Sequence, residues 1–533
     1  MKKKILTLLS TTLCISLMFI GCNNNESKGN NADDSQKKVL TFADASETTQ
    51  LSPLYMGSFN YQTSKMVYET LLKYEDGEVK GNLAESYSFN NDGTVLTLKL
   101  HQGVTFHDGE PFNAQAVKTN LDFDKTNPSY ASLKAITEMT SVDVVDDYTV
   151  NINYSHPYYA YLYDFCWPDV MVMVSPKVIV PGDFQTVHGV VGTGPYIYDE
   201  YSSGKYTKFK RNENYWGEKP YYDEVIDKYI PDSASRLQAL KTGEVDMIFG
   251  GALLSYEDYK QATAIKGIKG IVSEVDTRAR DITLNASSEK LKDIKVRQAI
   301  AYAINKQEIS DGLTYGYESV TNIPYPKGAE YTDTKINNSY SYDKEKAEAL
   351  LDEAGWIKGS DGIREKDGKK LNITLTVDTT FDVLNSSMAT LLKSQLNEIG
   401  IDLSIKSQEK MEWYSGYMAG DFDITFWTTQ YAYASPQCFF TPMPVMTPQT
   451  ASLKNVSDSA EFFKAIDSIT KTDDKNKLKE LYSYVINYDL DNVIDIPLTY
   501  SKDMIVYNSD KISDYKPDGA PCFLNVSNIK PAK

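Results

Sequence analysis

The stretch VLNSSMATLLKSQLNEIGIDLSIK, residues 383–406, decides the fold class. Its first part, Val383–Ile399, has apolar residues at helical spacing and ends at Gly400. Ile401–Lys406 then alternates apolar and polar residues, which is typical of a strand with one buried face. A helix that ends at a glycine and leads into a strand predicts a mixed α/β protein.

The same pattern recurs on both sides of this stretch. Asp343 begins a predicted helix through Ala354, and the predicted helix Ser233–Thr242 ends at Gly243. The other predicted strands are Val39–Ala43, Thr94–Leu100, Thr149–Asn153, Val245–Phe249, Ile424–Trp427 and a last strand pair, Ile496–Tyr500 and Met504–Tyr507. The other predicted helices are Ser64–Tyr74 and Asn113–Lys125.

Length and charge limit what the chain can be. It has 533 residues, of which 41% are hydrophobic and 24% charged, so it can bury two or three packed units and is not a disordered chain. Its formal net charge is −18, and it has no long Lys/Arg run beyond the first residues. A nucleic acid is therefore not an expected partner.

The first 22 residues have the pattern of an export signal. Met1–Lys4 is basic, Ile5–Ile20 is apolar, and Gly21 precedes Cys22. At about 16 residues the apolar run is shorter than the roughly 20 that span a bilayer, so cleavage before Cys22 is favoured over a membrane-anchor helix. The end of the segment resembles lipobox sequences, which implies a lipid on Cys22 that anchors the protein to the outer leaflet of the membrane.

The remaining cysteines do not suggest a disulfide framework. Cys14 is removed with the signal, and Cys166, Cys438 and Cys522 are far apart in sequence without CxxC spacing. We expect buried thiols that act as small hydrophobic side chains. The alternative is that two of the three form one disulfide.

The sequence contains no HExxH, GxSxG or GxxxxGK[ST] motif. Its four histidines, His101, His107, His156 and His188, share no metal-ligand spacing except His101 and His107, which lie in a strand-turn stretch. Its 73 Asp and Glu residues include no pair that stands out as acid and base. We therefore expect no enzyme, no protein-built metal site and no cofactor.

Several separated blocks carry a family resemblance. They are Met66–Tyr74 (MVYETLLKY), Asn82–Tyr87 (NLAESY), Val104–Phe112 (VTFHDGEPF), Ala114–Lys118 (AQAVK), Gly192–Tyr196 (GTGPY), Arg211–Pro220 (RNENYWGEKP), Val296–Lys306 and Leu350–Trp356 (LLDEAGW). In this order they resemble the solute-binding proteins of peptide/nickel ABC importers, the bacterial extracellular solute-binding protein family 5.

The resemblance implies an α/β, two-lobed periplasmic-binding-protein-like fold of type II, in its large cluster C form, with mixed sheets and a hinged cleft. The expected segments are 1–21 (lipoprotein signal peptide), 22–38 (flexible tether), 39–280 (lobe I, with an inserted subdomain at about 60–180), 281–499 (lobe II) and 500–533, which completes lobe I. Ligand would bind in the cleft, and the closed complex would dock on a membrane permease.

Within the family the chain is most similar to the nickel and metallophore branch, on Pro157–Leu162, Gly362–Gly368 and Ile496–Tyr500. Two usual ligand anchors are nevertheless missing. That branch usually has an arginine where this chain has Asp169–Val174, and peptide binders usually have an aspartate where Trp427–Pro436 contains no acid. A nickel or other transition-metal chelate is the favoured ligand, and a di- or oligopeptide is the alternative.

A strand at the expected crossing between the lobes offers a substitute anchor. In DTRARDITLN, residues 276–285, alternation places Arg278 and Arg280 on one face. A guanidinium there could hold a ligand carboxylate through two hydrogen bonds. The alternative is that both arginines pair with local acids such as Asp276 or Glu274.

Tyrosines are candidates for the cleft walls, because their rings combine an apolar body with a polar tip. Tyr61 matches a position that lines the cleft in nickel binders, and Tyr431 and Tyr433 follow the cleft strand of the second lobe. Since the chain has 39 tyrosines, an ordinary surface location is the alternative for each.

The leading hypothesis is a lipid-anchored receptor on the extracytoplasmic face of a bacterial cell membrane, which delivers a small polar solute to an ABC importer. Its expected partners are the ligand, the permease with its ATPase subunits, and the membrane through the lipid; the receptor itself is expected to be a monomer. A cell-surface or signalling protein that keeps the fold without transport is the alternative from a different class.

Overall fold

The computed structural model describes residues 37–45, 47–48, 61–75, 78–130, 133–157, 159, 161–168, 170–184, 186–249, 253–273, 276, 278–325, 329–378, 382–430, 452–453, 456–517 and 524–532. By compactness the chain divides into two units, 1–37 and 38–533. Of the first unit the described part is Lys37, and every element named below belongs to the second.

The strands are β1 (Val39–Asp44), β2 (Leu72–Glu75), β3 (Glu78–Gly81), β4 (Ala84–Phe89), β5 (Val95–Leu100), β6 (Met139–Asp146), β7 (Thr149–Tyr154), β8 (Tyr196–Ser202), β9 (Tyr206–Arg211), β10 (Glu224–Tyr229), β11 (Met247–Phe249), β12 (Ile268–Val272), β13 (Arg278–Leu284), β14 (Ser319–Val320), β15 (Ile357–Lys358), β16 (Arg364–Lys366), β17 (Lys369–Lys370), β18 (Asn372–Asp378), β19 (Asp402–Gln408), β20 (Ile424–Gln430), β21 (Asp495–Ser501), β22 (Met504–Asn508), β23 (Ile512–Tyr515) and β24 (Ile529–Pro531).

The α-helices are α1 (Tyr61–Val67), α2 (Ala114–Thr126), α3 (Lys134–Thr137), α4 (Tyr161–Asp164), α5 (Ser233–Thr242), α6 (Tyr256–Thr263), α7 (Ile294–Ala303), α8 (Lys306–Leu313), α9 (Lys344–Glu353), α10 (Asn385–Glu398), α11 (Lys410–Ala419), α12 (Ser459–Thr470) and α13 (Lys475–Asp491). Short 3₁₀ turns occupy Pro128–Tyr130, Pro176–Val178 and Val526–Asn528.

Two large mixed sheets give the molecule its two lobes. The seven-stranded sheet of lobe I has the order β12-β22-β11-β1-β10-β9-β8, and the six-stranded sheet of lobe II has the order β14-β21-β13-β20-β18-β19. A four-stranded antiparallel sheet, β4-β5-β7-β6, together with β2, β3 and helices α2 to α4 forms what we call the insert, residues 72–164. The predicted fold class, α/β with mixed sheets, is confirmed; the residue boundaries of the lobes stay a prediction.

Capping side chains begin two helices, and a glycine follows a third, where the sequence predicts. The Asn113 side chain accepts the backbone N–H of Ala116 at 2.9 Å, and that of Asp343 accepts the N–H of Lys346 at 2.9 Å. Gly400 follows α10 with φ of +87°, a left-handed conformation that costs glycine little. Because β19 begins two residues later, the predicted junction of helix, glycine and strand is confirmed.

The predicted helix Ser64–Tyr74 is wrong in its second half. The helix ends at Val67, and β2 follows. The reason is tertiary, because the Val67 carbonyl accepts the backbone N–H of Gly194 at 2.9 Å. A Cβ at Gly194 would lie 2.5 Å from the carbonyl oxygen of Met66, so this close approach requires glycine.

The last two predicted strands exist but do not pair with each other. β21 pairs with β13 and β14 in lobe II, whereas β22 pairs with β11 and β12 in lobe I. Lys502 and Asp503 therefore connect the two sheets and do not form a hairpin turn. Pro497 has no N–H to donate, and it lies where the register between β13 and β21 shifts, as expected for proline at a bulge.

Buried apolar side chains form a continuous core across both large sheets. One cluster includes Val506 of lobe I together with Ile282 of lobe II. The insert contributes to a separate cluster, with members from Leu71 to Met173. Lobe II contains another separate cluster around Tyr482, between α12 and α13. The lobes thus share a core near their connection, while the insert and the α12–α13 region are packed independently.

Glu69 joins two of the sequence motifs to the scaffold of lobe I. Its carboxylate accepts hydrogen bonds from Thr193 Oγ1 (2.8 Å), Tyr215 Oη (2.9 Å) and Trp216 Nε1 (2.8 Å). Burial raises the pKa of Glu69, and these three donors oppose the rise. The Gly-Thr-Gly-Pro and Asn-Tyr-Trp-Gly motifs therefore meet at one carboxylate, which is a structural role.

The substitution Glu69→Gln should lower the free energy of unfolding by roughly 1–3 kcal/mol. The amide NH₂ group of glutamine would replace one accepting oxygen and would face a donor, so at least one of the three hydrogen bonds is lost. Urea unfolding followed by circular dichroism measures this loss. The control Glu213→Gln changes an exposed carboxylate that pairs with Arg211 and Lys219, and its midpoint should stay close to that of the wild type. An unchanged midpoint for Glu69→Gln would contradict the structural role.

Candidate functional site

Two chain segments, which we call the crossings, carry the chain between the lobes. The first crossing runs from β12 to β13 and the second from β21 to β22. They are hydrogen-bonded to each other: the Ser273 N–H donates to the Asp503 carbonyl at 2.9 Å, and the Asp503 N–H donates to Ser273 Oγ at 3.0 Å. Lys502 Nζ lies 3.4 Å from Asp276 Oδ1. The crossings are therefore tied to each other by backbone and charge.

Arg278 adds a buried ion pair to the crossings. Its Nη2 lies 3.2 Å from Asp503 Oδ1, and the two side chains are 2% and 4% exposed. Breaking such a buried pair by removing one partner leaves an uncompensated charge away from water. The pair therefore fixes the start of β13 relative to the second crossing.

Arg280 lies in a second buried network, two residues further along β13. Its Nε lies 2.9 Å from Glu318 Oε1, and its Nη1 contacts Asp382. The same Glu318 accepts hydrogen bonds from Tyr256 Oη (2.7 Å) and Thr499 Oγ1 (2.5 Å). Burial by itself would lower the pKa of Arg280, but Asp382 and Glu318 outweigh it and hold the pKa well above its usual value.

The Arg280 network also connects the lobes. Tyr256 begins helix α6, which packs on β12 and β22 of lobe I, whereas Glu318 precedes β14 of lobe II. The Tyr256 ring stacks on that of Tyr317, with centroids 5.5 Å apart. Beside it, Tyr315 Oη donates to Glu257 of α6 at 2.5 Å. Lobe I and lobe II are thus in contact through polar and aromatic groups next to the crossings.

The strand prediction for residues 278–284 is confirmed, but the acidic partners differ from those named from the sequence. Arg278 pairs with Asp503, Arg280 contacts Glu318 and Asp382, and Asp276 pairs with Lys502. Glu274 lies outside the described residues. The partners of the arginines come from distant parts of the sequence, so no local spacing could have identified them. A ligand-binding role for the two arginines stays a prediction.

The segment in which the resemblance led us to look for an arginine contributes to the core. Val172 is 4% exposed and packs in the apolar cluster of lobe I with Val174. It also forms a backbone bridge to Thr70. The segment is therefore part of the packed scaffold of lobe I.

The predicted site residues Cys22, Tyr431 and Tyr433 lie outside the described ranges, and so do Cys438 and Cys522, which were predicted as buried thiols. Tyr61 is the first residue of α1. Cys166 is 2% exposed, and its thiol donates to the Leu162 carbonyl at 3.2 Å, in agreement with the predicted small buried side chain.

An aromatic stack includes a side chain of β20, the strand that ends at Gln430. Trp427 of β20 stacks on Tyr417 of α11 with centroids 4.8 Å apart, and Tyr417 stacks on Trp413 at 5.0 Å. Trp413 Nε1 donates to Thr425 Oγ1 at 2.9 Å, which fixes the orientation of the stack. Sequence reasoning missed Trp413 and Tyr417, although their spacing of four residues places them on one helix face.

The opposite face of β13 carries one buried carboxylate, that of Asp281. Burial raises the pKa of Asp281, and the charge of Asp495 raises it further. Lys306 lies close enough to oppose this rise, and burial lowers its own pKa to about 8. Its Nζ donates to the Thr321 carbonyl at 3.2 Å and to Asn322 Oδ1 at 3.1 Å. One ammonium group therefore donates two hydrogen bonds and lies near the buried Asp281 carboxylate.

Within the described ranges, no three His, Cys, Asp or Glu side chains are grouped so that they could hold a metal ion. None of the helices in the part of the chain that the structure describes has both the length and the apolar character needed to cross a membrane.

Comparison with known proteins gives consistent results. The family description "Bacterial extracellular solute-binding proteins, family 5 Middle" matches residues 78–449. The nickel-binding periplasmic protein of Escherichia coli K12 is 30% identical over 487 residues, which are 88% of this chain and 91% of that protein. The oligopeptide-binding protein AppA of Bacillus subtilis 168 is 28% identical over 436 residues, which cover 76% of this chain and 77% of AppA.

A solved structure of high similarity is NikA from Brucella suis in complex with Fe(III)-EDTA. It matches with a TM-score of 0.86 at 29% identity, over 93% of this chain and 100% of that one. The family match covers well over half of the chain, and the structural match includes both lobes. The chain therefore belongs to the bacterial extracellular solute-binding proteins of family 5, the two-lobed solute receptors of ABC importers.

Proposed function

We propose that this protein is a lipid-anchored receptor that captures a nickel or other transition-metal chelate by closing its lobes and delivers it to a permease with its ATPase subunits. The observation that supports this most is the nickel-binding relative, which matches 88% of the chain at 30% identity. The two crossings, tied by Arg278 and Asp503, supply a connection about which the lobes could rotate.

In this proposal the chelator supplies the ligands of the metal, and the protein recognises the chelator. Carboxylate groups of a chelator suit guanidinium groups and tyrosine hydroxyls, which are donors. We assign the walls of the cleft to Tyr61, Tyr431 and Tyr433, and the carboxylate contact to Arg280 and Arg278. The similarity to a protein crystallised with Fe(III)-EDTA, a carboxylate-rich chelate, favours a ligand of this class.

A di- or oligopeptide is the second candidate ligand. It is favoured by the similarity to AppA, which is named as oligopeptide-binding and matches 76% of this chain. Recognition would then rest on hydrogen bonds to the peptide backbone, a mode that tolerates many sequences.

Thermal unfolding with defined additions separates the two ligands. Nickel with free histidine should raise the melting temperature, because a ligand that binds the folded state at about 100 times its Kd adds about 2.7 kcal/mol. Nickel alone should raise it little. A rise with a mixed peptide library, and none with any nickel chelate, would contradict the chelate and favour the peptide.

The arginines can be tested by measuring stability and binding separately. Arg280→Ala should lower the free energy of unfolding by about 3–5 kcal/mol, because it leaves Glu318 and Asp382 buried without their cation. If Arg280 or Arg278 also holds the ligand, its alanine variant should bind nickel–histidine roughly 30-fold more weakly, and lysine should restore only part.

Isothermal titration calorimetry on each folded variant gives the affinity. Arg211→Ala is the matched control, since Arg211 pairs with Asp223 at the surface of lobe I. Unchanged affinity in both alanine variants would show that the arginines stabilise the crossings and that the ligand carboxylate is bound elsewhere.

Membrane attachment is tested by Cys22→Ala. The variant should lose its lipid and leave the membrane fraction, because the proposed anchor is the acyl chain on this cysteine. Fractionation followed by a carbonate wash measures the distribution, with Cys166→Ala as the control for loss of a buried thiol. Retention of the Cys22→Ala protein in washed membranes would contradict lipid anchoring.

A further inference from the structure

A hydrogen bond joins the insert to lobe II, and neither of its residues belongs to the crossings. Tyr163 Oη donates to Glu330 Oε2 at 2.8 Å, across 167 positions of the chain. Tyr163 belongs to helix α4 of the insert, and Glu330 lies between β14 and α9 of lobe II. Both residues are half-buried, so the contact is shielded from water without being enclosed.

Each partner is attached to a different apolar core. Tyr161 and Phe165, on either side of Tyr163, are fully buried in the cluster of the insert. Tyr331, next to Glu330, packs on the separate α12–α13 cluster of lobe II. The bond therefore connects two bodies that are packed independently, unlike the region of the crossings, where one apolar cluster extends through both lobes.

The turn that carries Glu330 has a fixed conformation. Tyr331 has φ of +60°, a left-handed value that is strained for a bulky residue. Its ring stacks on Tyr482 with centroids 5.0 Å apart and an interplanar angle of 5°. Thr332 Oγ1 donates back to the Ala329 carbonyl at 2.7 Å. The strained backbone is thus held by packing, and it directs Glu330 toward the insert.

The carboxylate of Glu330 lies near two tyrosines of the insert, Tyr163 and Tyr74. Burial raises the pKa of Tyr163, and the negative charge of Glu330 raises it further, so the phenol stays a donor at physiological pH. Tyr74, whose ring centroid is 6.1 Å from that of Tyr163, has its pKa raised to about 12, first by burial and then by Glu330. Both phenols therefore lie close enough to the Glu330 carboxylate for it to affect their pKa values.

We propose that the Tyr163–Glu330 hydrogen bond is a latch, which joins the insert to lobe II in the chain alone as well as in the presence of ligand, and which slows the release of bound ligand. The latch rests on the proposed receptor function, since it presumes lobes that open and close. A rotation about the crossings would leave the shared core intact and would separate the two independently packed bodies at this bond.

The test uses the full chain and the variants Tyr163→Phe and Glu330→Gln, alone and combined. The matched control is Tyr206→Phe, since Tyr206 Oη donates to Glu200 at 3.0 Å within the sheet of lobe I. Hydrogen–deuterium exchange of residues 329–332 and 161–164 is measured first, without any ligand. Tyr163→Phe should speed exchange at 329–332, and Glu330→Gln should speed exchange at 161–164, because each loses its partner in the other body.

The second measurement is the dissociation rate of nickel–histidine, by stopped flow. Loss of a hydrogen bond to a charged group should raise the dissociation rate roughly tenfold in either single variant. The double variant should release ligand no faster than the single variants. Exchange that stays unchanged in the opposite body would overturn the latch. If nickel–histidine does not bind the wild type, the chelate proposal fails, while the exchange result still decides the latch.

Discussion

The ion pair between Arg278 and Asp503 is the constraint on which the arrangement of the lobes depends. The chain passes between the two sheets at both crossings, and this pair joins one crossing to the other. β13 begins at Arg278 and lies in the middle of the lobe II sheet, where β20 and β21 pair with it on either side. A shift at this point would therefore change the register of the central strands of lobe II.

Charge is buried at the crossings, where apolar groups of similar volume would often give equal or greater stability. The arrangement is consistent with a gain in specificity. Glu318 must accept from Arg280, Tyr256 and Thr499 together, and these residues come from both lobes. Helix α6 and strands β13 and β21 must lie close together for Glu318 to accept from all three donors, so the network stabilises this geometry next to the crossings.

The sequence predicted what is encoded locally. Gly400 between α10 and β19, the cap at Asp343, and the alternation of Arg278 and Arg280 all follow from neighbouring residues. Partners that meet only in three dimensions were not predictable. Nothing near Arg280 in sequence indicates Glu318 or Asp382, and the residues between Val67 and β2 leave the helix because of a loop more than 100 positions away. The last two strands exist, but their predicted pairing was wrong for the same reason. A short loop can connect two sheets as well as two neighbouring strands.

The two connections between the lobes differ in a way that suits a receptor. Near the crossings the apolar core is continuous, so motion there must keep this core packed and avoid exposing its apolar area to water. At Tyr163 and Glu330 the contact is polar. When such a bond opens, water replaces each partner, and the net cost is far smaller than the strength of the bond itself. An apolar seam at that place would hold the lobes together whether or not a ligand was present, whereas a hydrogen bond between half-buried groups adds stability to the joined state and still allows it to open.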